Sequence, residues 1–193
     1  MAEAEGKEKK KGGLKLGAKV WVKDIDANNP DVFVLGTLKG IAGKNADIEL
    51  NDGANKGQRV ETDLFFPANP PGQDFNDHTS LIYLSDATLM ENSRIRYARD
   101  EIYTFVGPIL ISINPFKYID GLYDSKRKEV YKACNWAQEE PHVYAIAEMS
   151  YQKMTLHELS CSLLVSGESG AGKTETNKHV MAYLRWRASG DTA

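Results

Sequence analysis

The chain has 193 residues, enough for one ordinary domain or for a small domain followed by part of a larger one. A hydrophobic fraction of 41% supports a packed core, and a net charge of −3 supplies no general attraction to nucleic acid or anionic membranes. The two cysteines, Cys134 and Cys161, lie far apart with no Cys/His cluster, which argues against a structural metal site and suits free thiols in a reducing compartment.

Residues 1–13 carry the run Lys7-Glu8-Lys9-Lys10-Lys11 and have no apolar stretch of signal-peptide type. Such a segment cannot bury enough surface to offset its ordering entropy and reads as a disordered charged tail. Residues 14–67 read as short strands separated by turns: Lys19–Lys23, Phe33–Leu38, Asp47–Leu50 and Arg59–Thr62, with a turn signal at Asn51-Asp52-Gly53. That texture predicts a small antiparallel β-barrel. A linker over 68–79 follows, entered through Pro67-Ala68-Asn69-Pro70-Pro71-Gly72, whose prolines and glycine deny it regular hydrogen bonding.

Over residues 80–193 the pattern changes to helices alternating with apolar strands. A helix is predicted from Asp86 to Arg99, capped by Asp86, with Leu89, Met90 and Tyr97 near one face. Ile102–Val106 and Ile109–Ile113 are short, apolar and β-branched, as sheet strands are. The longest apolar run, Phe105–Ile113, is interrupted by Gly107, Pro108 and Ser112 and is far short of the roughly 20 residues of a membrane span. Ser125–Lys132 and His142–Met154 are helix candidates, the second with Pro141 just ahead of it. Cys161–Val165 has the pattern of a buried strand. A helix from Lys173 to about Arg187 follows, with an apolar stripe of Val180, Met181 and Leu184.

Between that strand and that helix stands Gly167-Glu168-Ser169-Gly170-Ala171-Gly172-Lys173-Thr174, which fits the pattern G-x-x-x-x-G-K-[ST]. Glycine lets the backbone take positive φ and approach a phosphate closely. Successive N–H groups then face one concavity, and the following helix N-terminus adds partial positive charge. Lys173 is expected to reach the β- and γ-phosphates, and the Thr174 hydroxyl to coordinate Mg²⁺. The alternative is a glycine-rich turn that binds nothing, but a bare turn has no reason to carry Gly172-Lys173-Thr174. A nucleoside triphosphate is the ligand class; the loop alone does not say what is done with it.

The flanking residues narrow this. Gly167 to Glu175, Ile102-Tyr103-Thr104-Phe105-Val106-Gly107, Ile113-Asn114-Pro115-Phe116-Lys117, and Pro141-His142-Val143-Tyr144-Ala145-Ile146-Ala147 with Ser150-Tyr151-Gln152-Lys153-Met154 resemble stretches of myosin motor domains. They occur in that family's order, and the segment around Val20-Trp21-Val22 is similar to the small N-terminal barrel that many myosins carry. The resemblance implies an α/β fold of the phosphate-loop NTPase type, an incomplete, mainly parallel mixed sheet flanked by helices after the barrel.

It also implies an adenine side to the site, with Asn114, Pro115 and Lys117 matching the family's Asn-Pro segment and Tyr123 as its closing tyrosine. Here that spacing is one residue longer than in many myosins, with Asp120-Gly121 in the loop. Taken alone, Asn114-Pro115 reads as a turn after a strand. ATP and Mg²⁺ are the implied cofactors, and a cytoplasmic, cytoskeleton-associated motor is the implied function. Actin filaments and light chains would be engaged through regions absent from this chain. The family's switch segments, Asn-x-Asn-Ser-Ser-Arg and Asp-Ile-x-Gly-Phe-Glu, do not occur, so the chain by itself is expected to be a poor ATPase. Two other readings stay open: a phosphate-loop phosphotransferase unrelated to motors, and a non-catalytic interaction module built on the barrel.

Overall fold

The computed structural model describes residues 14–23, 32–51, 58–133 and 139–190. The charged tail, the Asp52-Gly53 turn and Cys134 lie outside them. The chain divides into two compact units, Met1–Gln73 with Leu81–Asn92, and Asp74–Ser80 with Ser93–Ala193.

The first unit is built on a five-stranded antiparallel sheet in the order β4-β3-β2-β1-β5. Its strands are β1 (Lys19–Lys23), β2 (Phe33–Ala42), β3 (Asn45–Leu50), β4 (Gln58–Glu61) and β5 (Phe65–Pro67). Alternation sends Val20, Val22, Leu38, Ala46, Ile48, Val60 and Phe65 to one face, where they form a continuous core. Register follows from that face: Val20 stands opposite Gly36 and Pro67, and Ala46 opposite Ile41 and Val60. β2 runs on to Ala42, past the expected end at Leu38, and turns into β3 through Gly43 at φ 62°.

The expected barrel is not closed. Among the described residues no ladder joins β4 to β5, the two ends of the sheet. Thr62, which the sequence placed in the fourth strand, instead opens a 3-10 turn, Thr62–Leu64, that carries the chain from one edge to the other without folding it back. The short strand β5 had no counterpart among the predicted strands.

Helix α1 (Asp86–Tyr97) is capped one residue earlier than predicted. Thr88 N–H donates to Ser85 Oγ at 3.3 Å and Ser85 N–H donates to Thr88 Oγ1 at 2.9 Å, a reciprocal box that satisfies two amides. The expected apolar face is also displaced. Ala87, Thr88, Asn92 and Arg96 are buried, whereas Met90 and Tyr97 are exposed. The helix can bury Arg96 because its guanidinium is fully engaged within the second unit. It donates to Thr104 Oγ1 (3.1 Å), Tyr103 O (2.9 Å) and Asn76 Oδ1 (2.6 Å), and pairs with Asp74 and Glu101. The helix stops at Tyr97 rather than Arg99, and Asp100 takes a left-handed conformation at φ 64°.

Strands β6 (Tyr103–Val106) and β7 (Ile109–Ser112) form an antiparallel hairpin across Gly107-Pro108. The predicted sheet was mainly parallel; two residues can only reverse a strand, so this pair cannot be. The one parallel pairing among the described residues is an isolated bridge between Asp77 and Phe105. Cys161–Val165, predicted as a buried strand, is irregular and solvent-exposed, with Leu164 92% accessible. Apolar composition favours a strand only where a neighbour can complete its ladder, and no described strand lies beside this one.

Helices α2 (Ser125–Ala133), α3 (Val143–His157) and α4 (Lys173–Gly190) pack with the hairpin around Ile102, Tyr103, Phe105, Tyr131, Val143, Tyr144, Val180 and Tyr183. On α4 the buried stripe is Val180 and Tyr183, flanked by the half-buried Leu184 and Trp186; Met181 faces solvent.

His142 caps α3, its Nδ1 accepting the Tyr144 N–H at 3.0 Å while its Nε2–H donates to Leu122 O at 2.9 Å. Both nitrogens are thus used by the neutral ring. Burial, seconded by the Arg127 charge, holds its pKa down at about 3. In the unfolded chain the ring titrates near ~6.5, so the unfolded state takes up the proton first. Its contribution is therefore complete above that pH and is lost as the pH falls toward 3. Between pH 7 and pH 5, where carboxylates change little, we expect stability to fall with a limiting slope of about 1.4 kcal/mol per pH unit from this group. Urea midpoints at the two pH values check this; equal midpoints would contradict it.

Candidate functional site

From Leu159 to Gly172 the chain has no helix or strand, and the segment ends where α4 begins at Lys173. Gly170 and Gly172 sit at φ 80° and 97°, the left-handed region that side chains rarely enter. A Cβ on Gly167 would stand 3.1 Å from Ala171 Cβ, a tight contact that glycine avoids where the loop folds back on itself. The Ala171 N–H donates to Glu168 O at 3.2 Å, and Thr176 starts the helical ladder by donating to Gly172 O at 2.9 Å. Among the described residues, no backbone carbonyl takes the amides of Gly170, Gly172, Lys173 or Thr174. Those amides, with the start of an 18-residue helix behind them, give this end of α4 the partial positive charge that attracts an anion.

Lys173 Nζ donates to Gly167 O and Glu168 O, both at 2.8 Å. The ammonium is thereby held against the first carbonyls of the loop with one N–H remaining. Thr174 is exposed on the first turn of α4. Among the described residues no group of three or more His, Cys, Asp or Glu could hold a metal unaided, so a cation here would depend on ligand oxygens beside the Thr174 hydroxyl.

The second half of the predicted site is brought to this loop in part. Asn114 Nδ2 donates to Gly170 O at 2.7 Å, and its Oδ1 accepts the Phe116 N–H at 3.0 Å. Pro115 is half-buried, and Phe116 follows at φ 50°, largely exposed. Lys117 turns to Asp100, at 2.5 Å. Gly121, within this segment, takes a left-handed conformation at φ 70°.

Tyr123 packs away from the loop, against α4: its ring stacks on His179 with centroids 3.4 Å apart and planes 10° from parallel. Its hydroxyl shares a hydrogen bond with Tyr103 at 2.8 Å, and its carbonyl accepts from the Tyr144 hydroxyl at 3.1 Å. Burial raises the Tyr123 pKa above the ordinary phenol value and depresses that of His179. A cavity of about 310 Å³ opens between Gly121, Arg127, Tyr131 and Glu140, and none of Gly167–Thr174 lines it.

Sequence reasoning missed the groups that hold α4 in place. Glu148 of α3 is 1% exposed and accepts from Tyr183 Oη (2.9 Å), Arg187 Nε (3.1 Å) and Gln152 Nε2 (3.0 Å). Arg187 also lies over the Tyr151 ring, 4.6 Å from its centroid. One signal was present: Glu148 is the single charge in Val143–Tyr151, and a lone carboxylate in an apolar helix needs a buried partner.

The chain has relatives among known proteins. The family described as myosin head (motor domain) matches residues 75–192. Myosin-11 of Arabidopsis thaliana is 36% identical over 171 residues, which cover 89% of this chain and 11% of that protein. Myosin-17 of the same plant is 38% identical over 174 residues, 89% and 11% respectively. Unconventional myosin-VI of Homo sapiens is 38% identical over 164 residues, 84% of this chain and 13% of that protein. The chain thus spans little more than a tenth of the length of these relatives. None of the described helices is long and apolar enough to cross a membrane.

Proposed function

Since this chain belongs to the myosin motor-domain family, we propose that it is the ATP-binding N-terminal part of an actin-based motor. Gly167–Thr174 receives the triphosphate. One observation carries the reading: two glycines in left-handed conformation turn the loop ahead of α4, and the amides of Gly170, Gly172, Lys173 and Thr174 have no backbone partners among the described residues. That arrangement suits a polyphosphate. The fold proposed for the second unit is the beginning of a phosphate-loop NTPase core, and the five-stranded sheet is the counterpart of the small N-terminal barrel.

In this reading the loop amides bind the phosphate oxygens, and Lys173 neutralises charge on the β- and γ-phosphates. Thr174 supplies one oxygen to Mg²⁺, the nucleotide and water supplying the rest. The segment Asn114–Tyr123, with Pro115 and Lys117, borders the base side, and its Tyr123 end is fastened to α4 through His179. Orienting the attacking water requires groups outside this chain. Hydrolysis, actin binding, light-chain binding and a cytoskeletal location therefore belong to the longer parent protein.

ATP turnover by the full-length parent, measured with and without actin filaments, tests the proposal. Turnover should rise as filaments are added; a rate indifferent to actin contradicts a motor and leaves a phosphotransferase as the reading.

A further inference from the structure

We infer that Asn114 is a positioning residue for the phosphate loop: by holding the Gly170 carbonyl it fixes the Gly170–Ala171 peptide, and with it the turn that precedes the unpartnered amides of Gly172, Lys173 and Thr174. This rests on the phosphate-loop reading above. The amide of Asn114 is engaged at both ends by protein. Its Nδ2–H donates to Gly170 O (2.7 Å), 56 residues further along the chain, and its Oδ1 accepts from Phe116 N–H (3.0 Å). Its own carbonyl accepts from the Tyr97 hydroxyl at 3.3 Å, tying the backbone of this residue to the end of α1. An amide that reads a purine edge presents its donor and acceptor together, and here the two point to different protein groups.

What the bond does follows from peptide geometry. Gly170, at φ 80°, has no side chain to hinder rotation of the peptide that joins it to Ala171. That peptide is planar, so fixing the Gly170 C=O on one side fixes the Ala171 N–H on the other, where it donates to Glu168 O. Asn114 thus supplies the restraint that a glycine lacks. Asn114 also lies alongside Gly172, where a Cβ would meet Asn114 Cβ, Cγ and Nδ2 at an ordinary contact distance of 3.9 Å. Pre-organising a loop in its binding conformation lowers the entropy lost when the ligand arrives.

The test compares Mg·ATP, Mg·GTP and inorganic tripolyphosphate, which has no base, on the chain and on Asn114→Ala and Asn114→Ser. The serine hydroxyl can still accept from Phe116 N–H, so this variant keeps the local turn and loses only the reach to Gly170. Both variants should bind tripolyphosphate and ATP about tenfold more weakly, with the ratio of ATP to GTP affinity unchanged. Should the alanine variant fail to fold, the serine variant alone decides. Loss of ATP binding with tripolyphosphate binding intact would make Asn114 a base reader and overturn the inference. A lowered urea midpoint with unchanged affinities would overturn it as well, leaving a structural role only. If the unaltered chain does not bind tripolyphosphate, the phosphate-loop reading itself falls, and the inference with it.

Discussion

Glu148→Ala should destabilise the second unit by ~4 kcal/mol, the cost typical of removing one partner of a buried ion pair. The carboxylate is almost wholly buried and accepts from three donors, two of them, Tyr183 and Arg187, on α4. Alanine would remove the Glu148 acceptor from the Tyr183 hydroxyl, on a side chain with no exposed surface, and the Glu148 carboxylate from the Arg187 guanidinium, 15% exposed. Arg187 would retain its place over Tyr151, worth about 1 kcal/mol, so the loss stays below that of a fully abandoned charge. Glu148→Gln keeps an acceptor for Tyr183 and removes only the charge, and should cost about half as much. Urea unfolding of the three proteins at pH 7 separates these values. A change below ~1 kcal/mol for the alanine variant would show that α4 is held by its apolar stripe alone.

How far the sequence carried depended on whether a feature is local. β1 was legible to the residue because Lys19-Val20-Trp21-Val22-Lys23 alternates cleanly and its two valines are both buried. The left-handed turn at Gly170 and Gly172 was legible for the same reason, since glycines within a few residues of one another encode it. Features that depend on distant partners were not. Cys161–Val165 is apolar enough to pass for a strand, yet a strand is defined by its neighbours, and the chain supplies none there. β5 ends in proline and has three residues, too few for a periodic signal; only its pairing with Val20, Trp21 and Val22 makes it a strand. The burial of Arg96 is invisible until Asp74, Asn76 and Thr104 converge on it from separate stretches.

The candidate site shows the same division. Lys173 and Thr174 were read from a contiguous motif, but the approach of Asn114 to Gly170 depends on folding across most of the second unit. The motif also said nothing of Tyr123 stacking on His179 rather than standing open to solvent. On α4 the error was one of face. Val180 and Leu184 were placed correctly, but Met181 was chosen where Tyr183 is the buried member, because a hydroxyl-bearing ring scores as half polar until its partner Glu148 is known.

Replacing Lys173 carries the other large effect. Its ammonium is held by two loop carbonyls, so its charge is already in place beside the amides when a polyphosphate arrives. In the proposed site little side-chain entropy would then be lost on binding, and the charge would act at close range on the β- and γ-phosphates. Lys173→Ala should weaken a magnesium nucleoside triphosphate by ~3 kcal/mol, on the order of a hundredfold. It should leave the urea midpoint nearly unchanged, because the side chain lies at the surface of the loop. Calorimetric titration of Mg·ATP into the unaltered chain and into Lys173→Ala decides whether residues 167–174 hold a triphosphate. Saturable binding that weakens about a hundredfold in the variant is the expected result; no binding to the unaltered chain, or equal affinities in the two proteins, would contradict it.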